Sequence, residues 1–180
     1  MNIRSITLII ALPLAAVLTM SAVADVSHAT HHSSAPTAKL VEVVRNVTQP
    51  FTDVNAVATV GYKPLFGCVS GPDHGAMGVH YINLSLVGDG QIDAAHPEAI
   101  IYEPTKNGMQ LVGVEYIVDA ATWLAHNPAP PMLEGQAFQL VGSPNRYGLP
   151  AFFELHVWAW RDNPNGAFVD WNNKVSCEGR

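Results

Sequence analysis

The chain has 180 residues, 48% of them hydrophobic and 13% charged, with a formal net charge of -6 at pH 7. That apolar share suits one domain with a real core and lies well above the composition of a disordered chain. Nine Lys and Arg scattered along an acidic sequence leave no basic footprint, so nucleic acid is excluded as a partner.

The first 24 residues read as a cleaved export signal. Arg4 supplies the positive start, Ile6 to Met20 an apolar run, and Ala22-Val23-Ala24 an A-x-A cleavage site before Asp25. An apolar run of about 15 residues is short for a membrane span, and nothing similar follows, so no span is expected in the mature chain. No Cys stands near the cleavage site to carry a lipid. The mature chain would keep 156 of the 180 residues and, having lost Arg4, a net charge of -7. Its expected location is periplasmic or extracellular.

Residues 25–36, D-V-S-H-A-T-H-H-S-S-A-P, are small, polar and His-rich and read as a disordered linker to a single β-rich domain over residues 37–180. His28 is the fourth mature residue, not the third that a tight amino-terminal copper site uses. His28, His31 and His32 therefore read as linker residues. Leu40, Val43, Val44 and Val47 then follow helical spacing, and Pro50 ends that helix. Asp53 caps a second short helix stopped by Gly61.

From Gly67 onward, short apolar runs alternate with Gly, Pro, Asn and Asp. Strands are expected at Gly78 to Leu84, Ala99 to Glu103, Gln110 to Val118, Ala137 to Val141 and Ala151 to Trp160, with a short helical turn in D-A-A-T-W-L-A-H-N. Short, regularly spaced strands with little helix between them favour an antiparallel sheet or small barrel. The expected class is α+β, mainly β: amino-terminal helices, then the sheet, closed by one disulfide. Cys68 and Cys177 are the only cysteines of an exported chain and are expected to pair. Closing a loop of roughly 110 residues is worth about 4–5 kcal/mol in the chain-entropy treatment.

Period-two reading of the strands isolates a few polar residues. In F-F-E-L-H-V-W-A-W, Phe153, Leu155, Val157 and Ala159 share one face; Glu154, His156, Trp158 and Trp160 share the other. In the other strands His80 pairs in phase with Ile82 against Tyr81, Glu115 with Gly113 and Ile117, and Glu103 with Ile101. Val112 falls with Val114 and Tyr116. Buried charges without partners are costly, so such residues are paired, liganded or functional. If the sheet curls, His80, Glu115 and His156 would meet as a two-imidazole, one-carboxylate ligand set for Cu, Fe or Zn, with an open position. Glu154 or Glu103 would then orient a ligand or act as a catalytic base, and Trp158 would line the pocket.

Three readings stay open at this point. The first is a metal-binding protein, with hydrolytic or oxidative chemistry on a small molecule or polysaccharide. The second is a non-catalytic module in which Trp158, Trp160 and Tyr81 stack on a glycan or other flat ligand. The third is a structural envelope protein whose His and Glu side chains only satisfy one another or face solvent. The sequence carries neither H-E-x-x-H nor the H-x-H…E…H order, and no G-x-S-x-G.

The segments G-A-M-G-V-H-Y-I-N, P-E-A-I-I-Y-E-P, L-V-G-V-E-Y and E-L-H-V-W-A-W-R-D-N-P-N-G-A-F-V-D-W-N-N-K-V-S-C resemble a family of small exported bacterial proteins of uncharacterised function. The likeness runs from about Thr52 to Cys177. It implies no reaction, but it places His80, Glu115 and His156 inside the shared motifs and the His-rich segment outside them. Asn173 departs from the Pro that the resemblance leads one to expect in W-N-P.

Overall fold

A computed structural model describes residues 36–179; the expected export signal and His28, His31 and His32 lie outside the described residues. Helix α1 (Pro36–Thr48) buries Leu40, Val44 and Thr48 completely, an i, i+4, i+8 stripe that leaves Val43 and Val47 half-buried. A 3-10 turn (Gln49–Thr52) with Pro50 in its first turn follows. The Asp53 carboxylate then accepts from Asn55 N–H at 2.9 Å and caps α2 (Val54–Thr59). Gly61, at φ +95°, turns the chain into the sheet.

Six strands form an antiparallel sheet curled into a half-barrel: β1 (Lys63–Gly71), β2 (Gly75–Ile82), β3 (Ala99–Thr105), β4 (Gly108–Asp119), β7 (Gln139–Val141) and β8 (Phe152–Val157), in the order β1-β2-β3-β4-β8-β7. β5 (Met132–Leu133) and β6 (Gln136–Ala137) make a separate two-stranded ribbon, and α3 (Leu84–Val87) and α4 (Ala120–Leu124) are single turns between strands. Cys68 and Cys177 are bonded across 109 residues, so the fold class is the expected one. Among the described residues no helix is long and apolar enough to cross a membrane.

Two departures from simple alternation matter. β1 is not evident from sequence, because its ladder is broken by a bulge between Leu65 and Cys68, where Phe66 (φ +64°) and Gly67 (φ +68°) are both left-handed. Another bulge lies in β4. Ile101 pairs with Gly113 and Tyr102 with Leu111, leaving Val112 as the extra residue. Val112 therefore turns to the face of Ile101 and Trp158, not to that of Val114 and Tyr116.

The two faces of the sheet are covered differently. One packs beneath the helices: Ile100, Tyr102, Val114, Tyr116, Val118, Phe153, Leu155 and Val157 join Leu40 and Val44 in the main core. The tyrosine hydroxyls at its margin donate to backbone carbonyls, Tyr62 to Pro97, Tyr102 to Phe51 and Tyr116 to Ala94. The other face is covered by the 142–150 loop and the carboxy-terminal tail, which the disulfide fastens to β1. It carries two small apolar clusters, Ala76, Ile101, Val112, Trp158 and Val175 in one, and Ile82, Ala99, Ile117 and Phe152 in the other.

Candidate metal centre

The same sheet face carries His80, Glu115, Glu154 and His156, all at least 95% buried. Register explains how they meet. Glu115 on β4 lies directly opposite His156 on β8. His80 comes from β2, one strand beyond β3, and β3 sets the small Ala99 opposite Glu115, which leaves room for the imidazole to reach across. His80 Nε2 stands 3.3 Å from Glu115 Oε2 and 3.4 Å from His156 Nε2, and the two rings meet edge-on. One ligand atom from each of the three residues falls within 4.8 Å of the others.

Electrostatics keep both imidazoles of this knot neutral and favour a proton on its carboxyl pair. Burial lowers the His80 pKa to about 4, opposed by a hydrogen bond with the backbone at Gly78. Gly78 itself sits at φ +100° with the Tyr102 carbonyl only 2.6 Å from where a Cβ would be, so no other residue fits there. Burial and then the neighbouring His80 hold His156 well below the usual histidine range. Both imidazoles are therefore neutral, the state in which they bind metals. Burial, and then Glu154, pushes Glu115 well above the carboxylate range. Glu154 is raised to about 7 by burial, offset by its hydrogen bond with Glu115. The two carboxyls thus share a proton, as two buried like charges in contact must.

Next to this group lies Asp170, from the tail. Its Oδ1 is 3.7 Å from His156 Nδ1, an ion-pair distance too long for a hydrogen bond, and His156 Nδ1 is buried without a hydrogen-bond partner. Gln139 Nε2 donates to the same Asp170 oxygen at 2.6 Å and fixes its position. Glu154, His156 and Asp170 also bring ligand atoms within 4.8 Å of one another. On the opposite side, His80 and Glu115 form the polar floor of a cavity of about 40 Å³ walled by Phe66, Ile117, Tyr147 and Phe152. A void of that size holds a water or two, or a small ion and its water.

The other sequence candidates fall elsewhere. Glu103 does not reach the cluster: its Oε1 accepts from Ser176 N–H at 3.0 Å and its Oε2 lies 3.1 Å from the Arg161 guanidinium, so it anchors the tail. Trp158 does stack beside His156, with centroids 6.1 Å apart, but it is 3% exposed and its indole N–H is taken by the Val169 carbonyl. Trp160 is a correction. Regular alternation stops at Val157, where Ala159 N–H turns back to the Val157 carbonyl, and Trp160 packs against the helix side, donating to Thr48 Oγ1 at 2.9 Å. Tyr81 likewise packs on the helix side, edge-on to Tyr102. The aromatic platform of Trp158, Trp160 and Tyr81 does not form, because the three rings lie on two faces of one sheet.

Sequence reading passed over three residues here. Asp170 stands in a tail dense in turn formers, and its only signal is a carboxylate between Val169 and Trp171. Phe66 and Tyr147, whose rings meet at 5.4 Å over the cavity, come from a bulge and a loop, where no periodicity marks them. His74 lies beside Trp171, 6.5 Å between ring centroids, at the surface near Asp170. Comparison of the chain with protein-family models, with curated proteins and with solved structures gives no match.

Proposed function

We propose that this is an exported metal-binding protein that holds a divalent transition metal between His80 Nε2, His156 Nε2 and a Glu115 oxygen, and uses it on a small molecule. The observation that carries the reading is the spacing of the ligand atoms. A tetrahedral ion with bonds of about 2.1 Å separates its ligands by roughly 3.4 Å, and the two distances from His80 Nε2 are 3.3 and 3.4 Å. Two imidazoles and a carboxylate suit Zn, Cu or Fe. The cavity over His80 and Glu115 supplies the open position that separates a reactive site from a structural one. In that position a metal would polarise a bound water or small ligand, with the Glu154 carboxyl at hand to take a proton through Glu115.

The cavity also narrows the substrate. Its enclosed space of about 40 Å³ favours a small molecule over a polysaccharide, and the glycan-binding alternative loses the aromatic platform it needed. The disulfide agrees with an oxidising compartment, and the resemblance to exported bacterial proteins puts all three ligands inside its shared motifs.

The test is metal analysis of the purified chain after loading with Zn²⁺ or Cu²⁺ and desalting. His28, His31 and His32 are replaced by Ala so that the amino-terminal histidines contribute nothing. We expect the protein to retain metal and a His80→Ala/His156→Ala variant to lose it. Equal, near-zero metal in both would leave the satisfied polar core as the better reading.

A further inference from the structure

His156 has two ring nitrogens, and the metal centre above uses one. The other, Nδ1, is the orphan: it belongs to a residue 1% exposed, has no hydrogen-bond partner and stands 3.7 Å from Asp170, whose carboxylate groups with His156 and Glu154. An unsatisfied buried nitrogen costs stability, and the 3.7 Å gap to Asp170 is too wide for the hydrogen bond that would relieve it. That gap is, however, a distance two ligands of one ion can span.

We propose that a second divalent cation seats between His156 Nδ1, Glu154 and Asp170, joined to the first through the His156 ring. Two further observations support it. Gln139, opposite Glu154 in the β7–β8 ladder, holds the Asp170 oxygen toward the ring. Asp170 and Gln139 also line a surface pocket beside Asp73, His74 and Trp171, which shares no residue with the Phe66–Tyr147 cavity, so this position has its own approach from solvent. Bridging through both ring nitrogens would require His156 to release its N–H proton to solvent. The second position rests on the first through the shared ring and the Glu115–Glu154 pair, whereas the ligands Asp170 and His80 each belong to one position alone.

That division makes the test a two-by-two comparison. The chain lacking His28, His31 and His32 is titrated with Zn²⁺, and retained metal is counted in the parent, in His80→Ala and in Asp170→Asn, with circular dichroism to confirm folding. We expect two equivalents in the parent and one in each variant. We also expect copper loaded into both positions to lose most of its electron-spin signal by coupling across the shared imidazolate, a loss reversed in either variant. A parent that saturates at one equivalent, lost in His80→Ala and kept in Asp170→Asn, overturns the second position and leaves the first standing. One equivalent lost only in Asp170→Asn does the reverse, and none in the parent overturns both. Should Asp170→Asn fail to fold, a parent count of one with uncoupled copper is sufficient to overturn the proposal.

Discussion

Phe153 and Glu154 are neighbours in the chain, are buried equally and face opposite sides of one sheet. The helix-covered side around Phe153 is a continuous apolar core in which the hydroxyls of Tyr62, Tyr102 and Tyr116 end on backbone carbonyls. The tail-covered side around Glu154 splits its apolar residues into two small clusters and sets His80, Glu115 and His156 on the same face. A sheet selected for stability alone would fill both sides as it fills the first. The second side keeps ionisable groups in a place where desolvation opposes their charge, a pattern that the proposed metal site accounts for.

The comparison can be broken most forcefully at the disulfide. Replacing Cys68 and Cys177 by Ser removes a 109-residue closure, worth about 4–5 kcal/mol in the chain-entropy treatment. If the tail is what seals the polar side, hydrogen exchange should rise first at Trp158 and residues 167–176, ahead of β3. Equal loss of protection on both sides would mean the tail is not a separate cover.

The neighbours themselves give the next test. Phe153→Ala should cost about 3–5 kcal/mol by chemical denaturation, the usual result of emptying an aromatic site in a core. Glu154→Gln in metal-free protein should do the opposite at neutral pH. The folded-state pKa of Glu154 is raised to about 7, above its unfolded value, so its penalty is absent in acid, grows as pH rises from about 4.5 and is complete above 7. The variant should match the parent near pH 4 and exceed it by on the order of 2 kcal/mol at pH 8. A variant less stable at both pH values would mean that the carboxyl pair stabilises the fold.

The smallest effect is the most specific to the site. Both imidazoles are already neutral at pH 6, whereas the Glu115–Glu154 pair must release its proton when a metal binds. Metal affinity should therefore rise about tenfold per pH unit for each proton displaced, and flatten above the upper titration of the pair. Isothermal titration in buffers of different ionisation enthalpy counts the protons. An affinity that is flat between pH 6 and 8 would place the metal elsewhere.

Much of this side was legible in the sequence, and where legibility stopped is informative. Period two singled out His80, Glu115 and His156, because alternation is a local property of an extended chain. It failed at Val112 and Trp160, where a bulge and a turn at Val157 reset the phase. It was silent on Asp170, Gln139 and Tyr147, which reach the site from a tail, a short edge strand and a loop.

By itself, then, the sequence determined the two early helices, most of the strands, the pairing of the only two cysteines and the identity of three polar residues in apolar strands. These follow from composition and from spacings of a few residues. Tertiary structure alone decided that the three meet, through a register that sets Glu115 against His156 and a small Ala99 that lets His80 reach over β3. It alone decided that the disulfide-tied tail delivers Asp170 to the unpartnered side of His156. Strand register and tail docking are settled by packing between residues tens of positions apart, and no local pattern encodes that.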